Sequence, residues 1–251
     1  MLFFKDFPRT AYVFGDNEVQ GGEQVTYEIF QDISRYSDVL DVIKDNVSFY
    51  RKYNIQENDR PDQLSYKLYG TPEYHWTFYL MNDHLRSRGW PLTLKQLEDK
   101  VKTDFPHFVI RTKTPFAAEG IMLVGQTASG STSGARGEIL KRNLDLGQIT
   151  IASQKAFTAG EIVTNVAFGL DASGLITAHS TMQEHLSAHH YEDADGNYVD
   201  IDPSQDAPSI YTEITQYDRY VRKNNELKDI RVVKPDLIGE VTSAFFQAIR
   251  N

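Results

Sequence analysis

Apolar residues recur at helical spacing in several stretches of the chain and alternate with polar ones in others. Between Tyr50 and Asp83 the pattern changes twice within a short distance. Tyr50 to Ile55 reads as an extended strand, ended by the polar run Gln56-Glu57-Asn58-Asp59. Asp59 or Arg60 then caps a helix whose first turn holds Pro61, where a missing backbone N–H costs nothing. Leu64 and Leu68 share one face, Tyr69 widens it, and Gly70 supplies the left-handed end. Thr71, Pro72 and Glu73 start a second helix at once, with Trp76, Tyr79, Leu80 and Met81 as its buried face. Two short helices joined this tightly pack as a hairpin, with Trp76 expected as the plug between them.

Residues 1–24 read as an extended arm, with Phe3, Phe4, Phe7, Tyr12, Val13 and Phe14 apolar but without helical period and Gly21-Gly22 as a break. Such an arm either docks on a neighbour or folds back on its own domain. Residues 27–47 read as two helical pieces, striped by Ile29, Ile33 and Tyr36 and by Leu40, Ile43 and Val47. Thr93 and Gln96 form a capping box before Leu94, Leu97 and Val101. His107 to Arg111 reads as a strand returning antiparallel to Tyr50–Ile55.

From Pro115 to Ala178, Gly, Ser, Thr and Ala dominate. Short apolar runs at 121–124, 137–140, 149–151 and 161–163 predict a small all-β domain. Phe116…Gly120 and Phe157…Gly160-Glu161 hint at an internal repeat. Residues 181–187 read as a helical turn or a loop. His190 to Ile201 reads as a hairpin turning at Asp195-Gly196. A helix from about Thr212 or Thr215 to Leu227, a strand from Ile230 to Val233 and a terminal helix follow. The terminal helix is striped by Leu237, Val241, Phe245 and Ile249 behind Pro235.

The residues Tyr69-Gly70, Trp76 and Asn82 resemble the signature of the LysM module, a small β-α-α-β unit. Leu68 to Pro72, Tyr74-His75-Trp76, Leu80 to Asp83 and Gly89-Trp90 sharpen the likeness. The stretch resembles the LysM-like core of the baseplate wedge subunits of contractile-tailed phages, the family of the phage T4 gene 53 product. Asn225 to Val233 with the helix after it also resembles that family, so the likeness spans about residues 25–112 and the final third. The segment from Pro115 lies outside the pattern.

The resemblance implies a LysM-like core at 50–114, and with the patterning of the rest the expected fold is α+β: an N-terminal arm and helices at 1–49, an inserted small β domain at 115–178, and a hairpin with C-terminal helices at 179–251. It implies a structural subunit that clips adjacent wedges around the tail hub. The implied partners are other wedge proteins, including the sheath-initiating subunit, adjacent copies of the wedge, and the hub or tube. The expected location is the tail baseplate of the virion, assembled in the host cytoplasm. Tyr69, Gly70, Trp76, Tyr79, Asn82, Trp90, Leu237, Val241 and Phe245 are the expected structural and interface residues. Free-standing LysM modules bind glycans at positions matching Asn58 to Arg60 and Asn82-Asp83. Here long flanks are expected to cover that groove, leaving peptidoglycan or chitin binding as the rival reading.

Composition narrows the choice. Among 251 residues, 12% are aromatic, with 14 Tyr and 14 Phe, which suits either an aromatic core or protein interfaces. A net charge of -9 with scattered basic residues argues against nucleic acid. The absence of cysteine excludes disulfides and thiolate metal sites. No apolar run approaches the roughly 20 residues a membrane helix needs, and Met1 to Phe4 is too interrupted for a signal peptide.

Candidate chemistry is thin. His185 and His189, at i, i+4, would share a helix face and with a carboxylate bind zinc, the basis of a rival metal-hydrolase reading. His179, His190, Glu184, Glu192, Asp193 and Asp195 lie nearby, but no His-Glu-x-x-His motif occurs. Asp193 to Asn197 reads as a β-turn rather than a calcium loop. Gly130 to Gly137 lacks the Lys of a phosphate loop and reads as a turn. No nucleophile elbow occurs. Neither cofactor nor catalytic group is expected.

Overall fold

A computed structural model describes residues 9–13, 27–31, 48–114, 122–166 and 175–250; at 9, 10, 12, 13, 27, 28, 30, 31 and 248–250 it describes the backbone alone. The chain forms two compact units, Met1–Pro91 with Asn225–Asn251, and Leu92–Asn224. In chain order the first contains β1 (Arg9–Val13), β2 (Tyr27–Gln31), β3 (Tyr50–Asn54), α1 (Pro61–Tyr69), α2 (Trp76–Met81) and α3 (Asp83–Arg88). The second begins with α4 (Leu94–Asp104) and β4 (Phe108–Arg111). It continues through β5 (Thr127–Gly130), β6 (Arg136–Asn143), β7 (Gln148–Ser153), β8 (Ile162–Asn165), β9 (Leu175–Thr177) and β10 (Ser180–Gln183). After β11 (Ala188–Glu192), β12 (Tyr198–Val199) and β13 (Thr212–Thr215), α5 (Gln216–Glu226) leads back to β14 (Asp229–Val233) and α6 (Ile238–Arg250) of the first unit.

In the first unit α1 starts and stops where proline and glycine require. Pro61 stands in its first turn, and Gly70, at φ 74°, donates its N–H to the Tyr66 carbonyl. The second helix begins later than Thr71 predicts. The Thr71 hydroxyl accepts from Glu73 N at 3.3 Å, but it caps only a 3-10 turn, Pro72–Tyr74, and α2 proper opens at Trp76. This places Phe78, not Trp76, at the centre of the hairpin. Phe78 is fully buried with Ile55, Leu64, Leu85, Leu227, Ile230 and Val232. Burying each such Phe, Leu or Ile contributes roughly 1.5–3 kcal/mol.

The strand opposite β3 is β14, antiparallel from Tyr50↔Val233 to Asn54↔Asp229. The sequence reading paired Tyr50–Ile55 with His107–Arg111; that pairing is absent. Val109 and Ile110 of β4 are buried on both faces, which suits a central strand, and β4 lies between β10 and β7 in the second unit. Residues 27–31, expected helical, are instead a strand paired with 9–13. The remaining expectations for 1–47 lie outside the described residues.

The second unit holds a seven-stranded antiparallel sheet in the order β10-β4-β7-β6-β5-β8-β9. Its two outer strands are consecutive in the chain, parted only by Ala178 and His179. His179 N bonds Arg111 O on one side, and Ala178 N bonds Glu161 O on the other. The sheet is therefore curled until one bent segment serves both edges, which leaves few open edge groups. Ile110, Ile139, Ile149, Ile151, Phe157, Val163 and Ile176 fill its interior.

The sheet overruns both expected boundaries of the 115–178 domain, because β4 and β10 belong to it. Of the expected strands, 121–124 fails: Met122 has φ 52°, Leu123 and Val124 are exposed, and Gly125 at φ 86° completes a turn. The Phe116…Gly120 half of the suggested repeat lies outside the described residues. Residues 180–183 are a strand followed by a 3-10 turn, Glu184–Leu186. A smaller sheet, β12-β11-β13, carries the hairpin read from Asp195-Gly196. The two ends of this unit are tied together. The Asn224 side chain accepts from Leu92 N at 2.8 Å and donates to Leu92 O at 2.9 Å.

Candidate interaction surface and buried polar clusters

The expected interface residues of the first unit are spent on its own interior. Asn82 is only 4% exposed. Its amide donates to Phe78 O at 2.7 Å and Arg231 O at 2.8 Å, and its oxygen accepts from Arg231 N at 2.8 Å. One side chain thus imitates a neighbouring strand and fastens β14 to the helix hairpin. Tyr69 donates its hydroxyl to Val233 O at 3.0 Å; burial pushes its pKa up to about 12. Trp90 donates its indole N–H to Asp59 O at 2.7 Å, and its ring lies 5.9 Å from Phe78 and 6.0 Å from the half-buried Tyr79.

Trp76, 9% exposed, stacks on the terminal helix rather than between α1 and α2. Its ring lies 4.8 Å from Phe245 and 5.6 Å from Phe246. Val241 is buried, and Leu237 packs against the same cluster as Met81, Val233 and Ile238. Leu237, Val241 and Phe245 of the α6 stripe, read as a surface for neighbours, are therefore covered within the chain. Gly70 shapes the turn between the helices.

These placements bear on ligand binding. Asn82 has no polar group to spare, and Asp59 accepts from Tyr53 Oη and Gln56 N, both at 3.2 Å. Among the described residues of this unit, the exposed large apolar side chains are Tyr66 (65%) on α1 and, on the β1–β2 ribbon, Ile29 (68%), whose cross-strand partner Ala11 is exposed as well. Phe78 and the Phe246 contact are missing from the sequence reading. A phase shift of the helix by the 3-10 turn hides both.

The histidines of the second unit do not form the expected helix-face pair. His185 sits in the 3-10 turn and His189 in β11, so i, i+4 spacing does not bring them onto one helix face. His179 faces Asp206 at 3.3 Å. The Nδ1 atoms of His189 and His190 share a hydrogen bond of 2.8 Å, and His190 Nε2 meets Glu192 Oε1 at 2.8 Å. Arg222 grips Glu192 with both nitrogens, at 2.6 and 2.9 Å. The Arg222 and then the His190 hydrogen bonds hold the Glu192 carboxyl at a pKa of about 2. Burial, aided by the charges of Arg219, His190 and Lys223, keeps the His189 pKa below its ordinary value. Among the described residues no three metal-ligating side chains converge.

A second carboxylate organises the Gly-rich loop. Glu161 accepts from Thr132 N at 2.9 Å, Ser133 N at 2.8 Å, Ser133 Oγ at 2.7 Å and Thr158 N at 2.6 Å. Burial by itself would raise its pKa, but these hydrogen bonds prevail and lower it. Gly130 is required there, since a Cβ would fall 2.5 Å from Ser133 Oγ and 2.7 Å from the carboxylate. The chain supplies its own anion to the loop.

Among the described residues no helix is long and apolar enough to cross a membrane. Residues 2–90 match the family model described as base plate wedge protein 53. The match ends within one residue of the first unit's N-terminal segment, Met1–Pro91. No curated protein matches the chain.

Proposed function

Because its residues 2–90 belong to the base plate wedge protein 53 family, a family of structural baseplate proteins rather than enzymes, we propose that this chain is a wedge subunit of a contractile-tail baseplate. It acts by assembly: it clips adjacent wedges together around the tail hub. Its partners are other wedge proteins including the sheath-initiating subunit, neighbouring copies of the wedge, and the hub or tube. It takes its place at the tail end of the virion after synthesis in the host cytoplasm.

The family match carries this reading, and the fold supports it in two ways. Strand β3, the hairpin α1–α2 and strand β14 suit a LysM-like β-α-α-β core, with α3 as an addition after the hairpin and the last strand supplied by residues 229–233. The β1–β2 ribbon exposes Ile29 and, among the described residues, has two strands, an arrangement marginally stable in water without further pairing. It is the element we assign to contacts with a neighbouring subunit, through backbone edges and the Ile29–Ala11 face.

A nonsense mutation in the gene within its phage tests the function. Electron microscopy of the lysate should show no contractile tails with complete baseplates, and antibody against the chain should label the tail end of wild-type particles. Normal tails from the mutant, or label elsewhere on the particle, would overturn the proposal.

A further inference from the structure

The second unit contains a cleft of about 620 Å³ that the assembly reading does not use. Its floor is the outer face of β7. Ile149 and Ile151 point into the apolar interior, so Gln148 and Thr150 point the opposite way. One wall is the end of β6 and the turn after it, Lys141 to Asp145; the other is Ser187, Ala188 and His189 with Gln216. Hydrogen bonds brace the walls. Glu184 accepts from Lys141 Nζ at 3.2 Å and His107 N at 3.3 Å, and Gln216 N donates to Ser187 O at 3.1 Å.

Gln148 is 7% exposed and Thr150 8%. A strand's outward polar side chains are ordinarily solvated, and those withdrawn from water ordinarily find a protein partner. Neither the Gln148 amide nor the Thr150 hydroxyl makes a side-chain hydrogen bond among the described residues, and both line the cleft. The small part of each residue that stays accessible includes its polar end, so two donor–acceptor groups stand side by side open to the cleft.

The chemistry of the lining limits what fits. The amide and the hydroxyl both donate and accept, as alcohol groups do. The formal charges balance, Lys141 and Arg142 against Asp145 and Glu184, which gives no preference for a charged ligand. Among the described residues, Leu144 and Ala188 alone line the cleft with apolar side chains, too few for an aliphatic or aromatic guest. We propose that this cleft binds a small uncharged polyhydroxyl ligand, of the class of a mono- or disaccharide, through Gln148 and Thr150. This site is separate from the LysM-type groove and stands whether or not the chain is a baseplate subunit.

The test uses the full-length chain, labelled with 15N and titrated in turn with glucose, galactose, N-acetylglucosamine and, as a charged control, inorganic phosphate. At least one sugar should produce saturable shifts at the amides of Asn143, Gln148, Thr150 and Ser187 to His189. Gln148→Leu and Thr150→Val should each weaken that sugar at least about tenfold. Neither should lower the melting temperature by more than a few degrees, because neither side chain makes a hydrogen bond within the described residues. No sugar shift up to tens of millimolar, shifts confined to other regions, tighter binding of phosphate, or unchanged affinity in both variants would overturn the proposal. Should a variant fail to fold, the wild-type shift map decides alone.

Discussion

In the first unit, the strand that arrives from far along the sequence is fastened by neutral groups: the Asn82 amide on Arg231, the Tyr69 hydroxyl on Val233, and Trp76 against Phe245. In the second unit the comparable tasks fall to carboxylates. Glu161 gathers the 130–134 loop, Glu184 ties His107 to Lys141, and Glu192 links β11 to α5 through Arg222. All the carboxyl groups with lowered pKa among the described residues (Glu98, Glu161, Glu192, Asp193, Asp202 and Asp206) lie between Leu92 and Asn224. Neutral hydrogen bonds and aromatic contacts are indifferent to acid; depressed carboxylates are not. The two units should therefore respond differently to acid.

The comparison can be broken most forcefully at Trp76. Trp76→Ala removes the ring that holds α6 and should cost roughly 3–5 kcal/mol, read as a lowered midpoint in urea. An unchanged midpoint would mean that α6 is not held by this contact. Asn82→Ala leaves both polar groups of Arg231 without their partner. It should cost roughly 2–3 kcal/mol, with faster amide exchange along β14 as the second readout. In the other unit, Glu161→Gln turns an acceptor into a donor facing the Thr132 and Ser133 N–H groups. We expect a loss of roughly 1–3 kcal/mol and exchange broadening at residues 130–134.

Acid sharpens the contrast further. A carboxyl whose folded pKa lies below its unfolded value adds stability above that unfolded value and loses it as pH falls toward the folded one. For Glu192 the window runs from 4.5 down to about 2, and Glu161 acts in the same direction. Both tryptophans of the chain, Trp76 and Trp90, belong to the first unit. Between those pH values, loss of β-sheet circular dichroism should precede any change in tryptophan fluorescence. Coincident transitions would erase the distinction. The smallest effect is expected for Tyr69→Phe, about 1 kcal/mol from one hydrogen bond, with a weaker alkaline loss of stability between pH 10 and about 12.

Local chemistry was readable in the sequence and long-range partners were not. Pro61, Gly70, the Thr93–Gln96 capping box and the Asp195-Gly196 turn act within a few residues, and each stands where its residue type predicts. The error over the strand opposite Tyr50–Asn54 has a different origin. Val109-Ile110 and Ile230-Val232 are equally strand-like, and choosing between them requires knowing which sheet buries both faces. The β1–β2 ribbon deceived for a related reason, since Ile29 and Ile33 fit a helical stripe as well as an extended one. Trp76 was seen as a buried plug, but a single 3-10 turn rotated it toward α6 and put Phe78 in its place. The sugar-sized cleft left no trace. Gln148-Ile149-Thr150-Ile151 alternates as any half-solvated strand does, and only the fold carries Ser187 to His189 toward its polar side.

The reciprocal pair of bonds between Asn224 and Leu92 has a consequence for how such a protein can change over time. It brings the entry and exit of a 92–224 module to a single doorway, so the module can be exchanged or lost at one seam without rethreading β3 and β14. A lineage could swap this cassette to meet new surroundings while the framework of β3, β14 and their helices stays as it was.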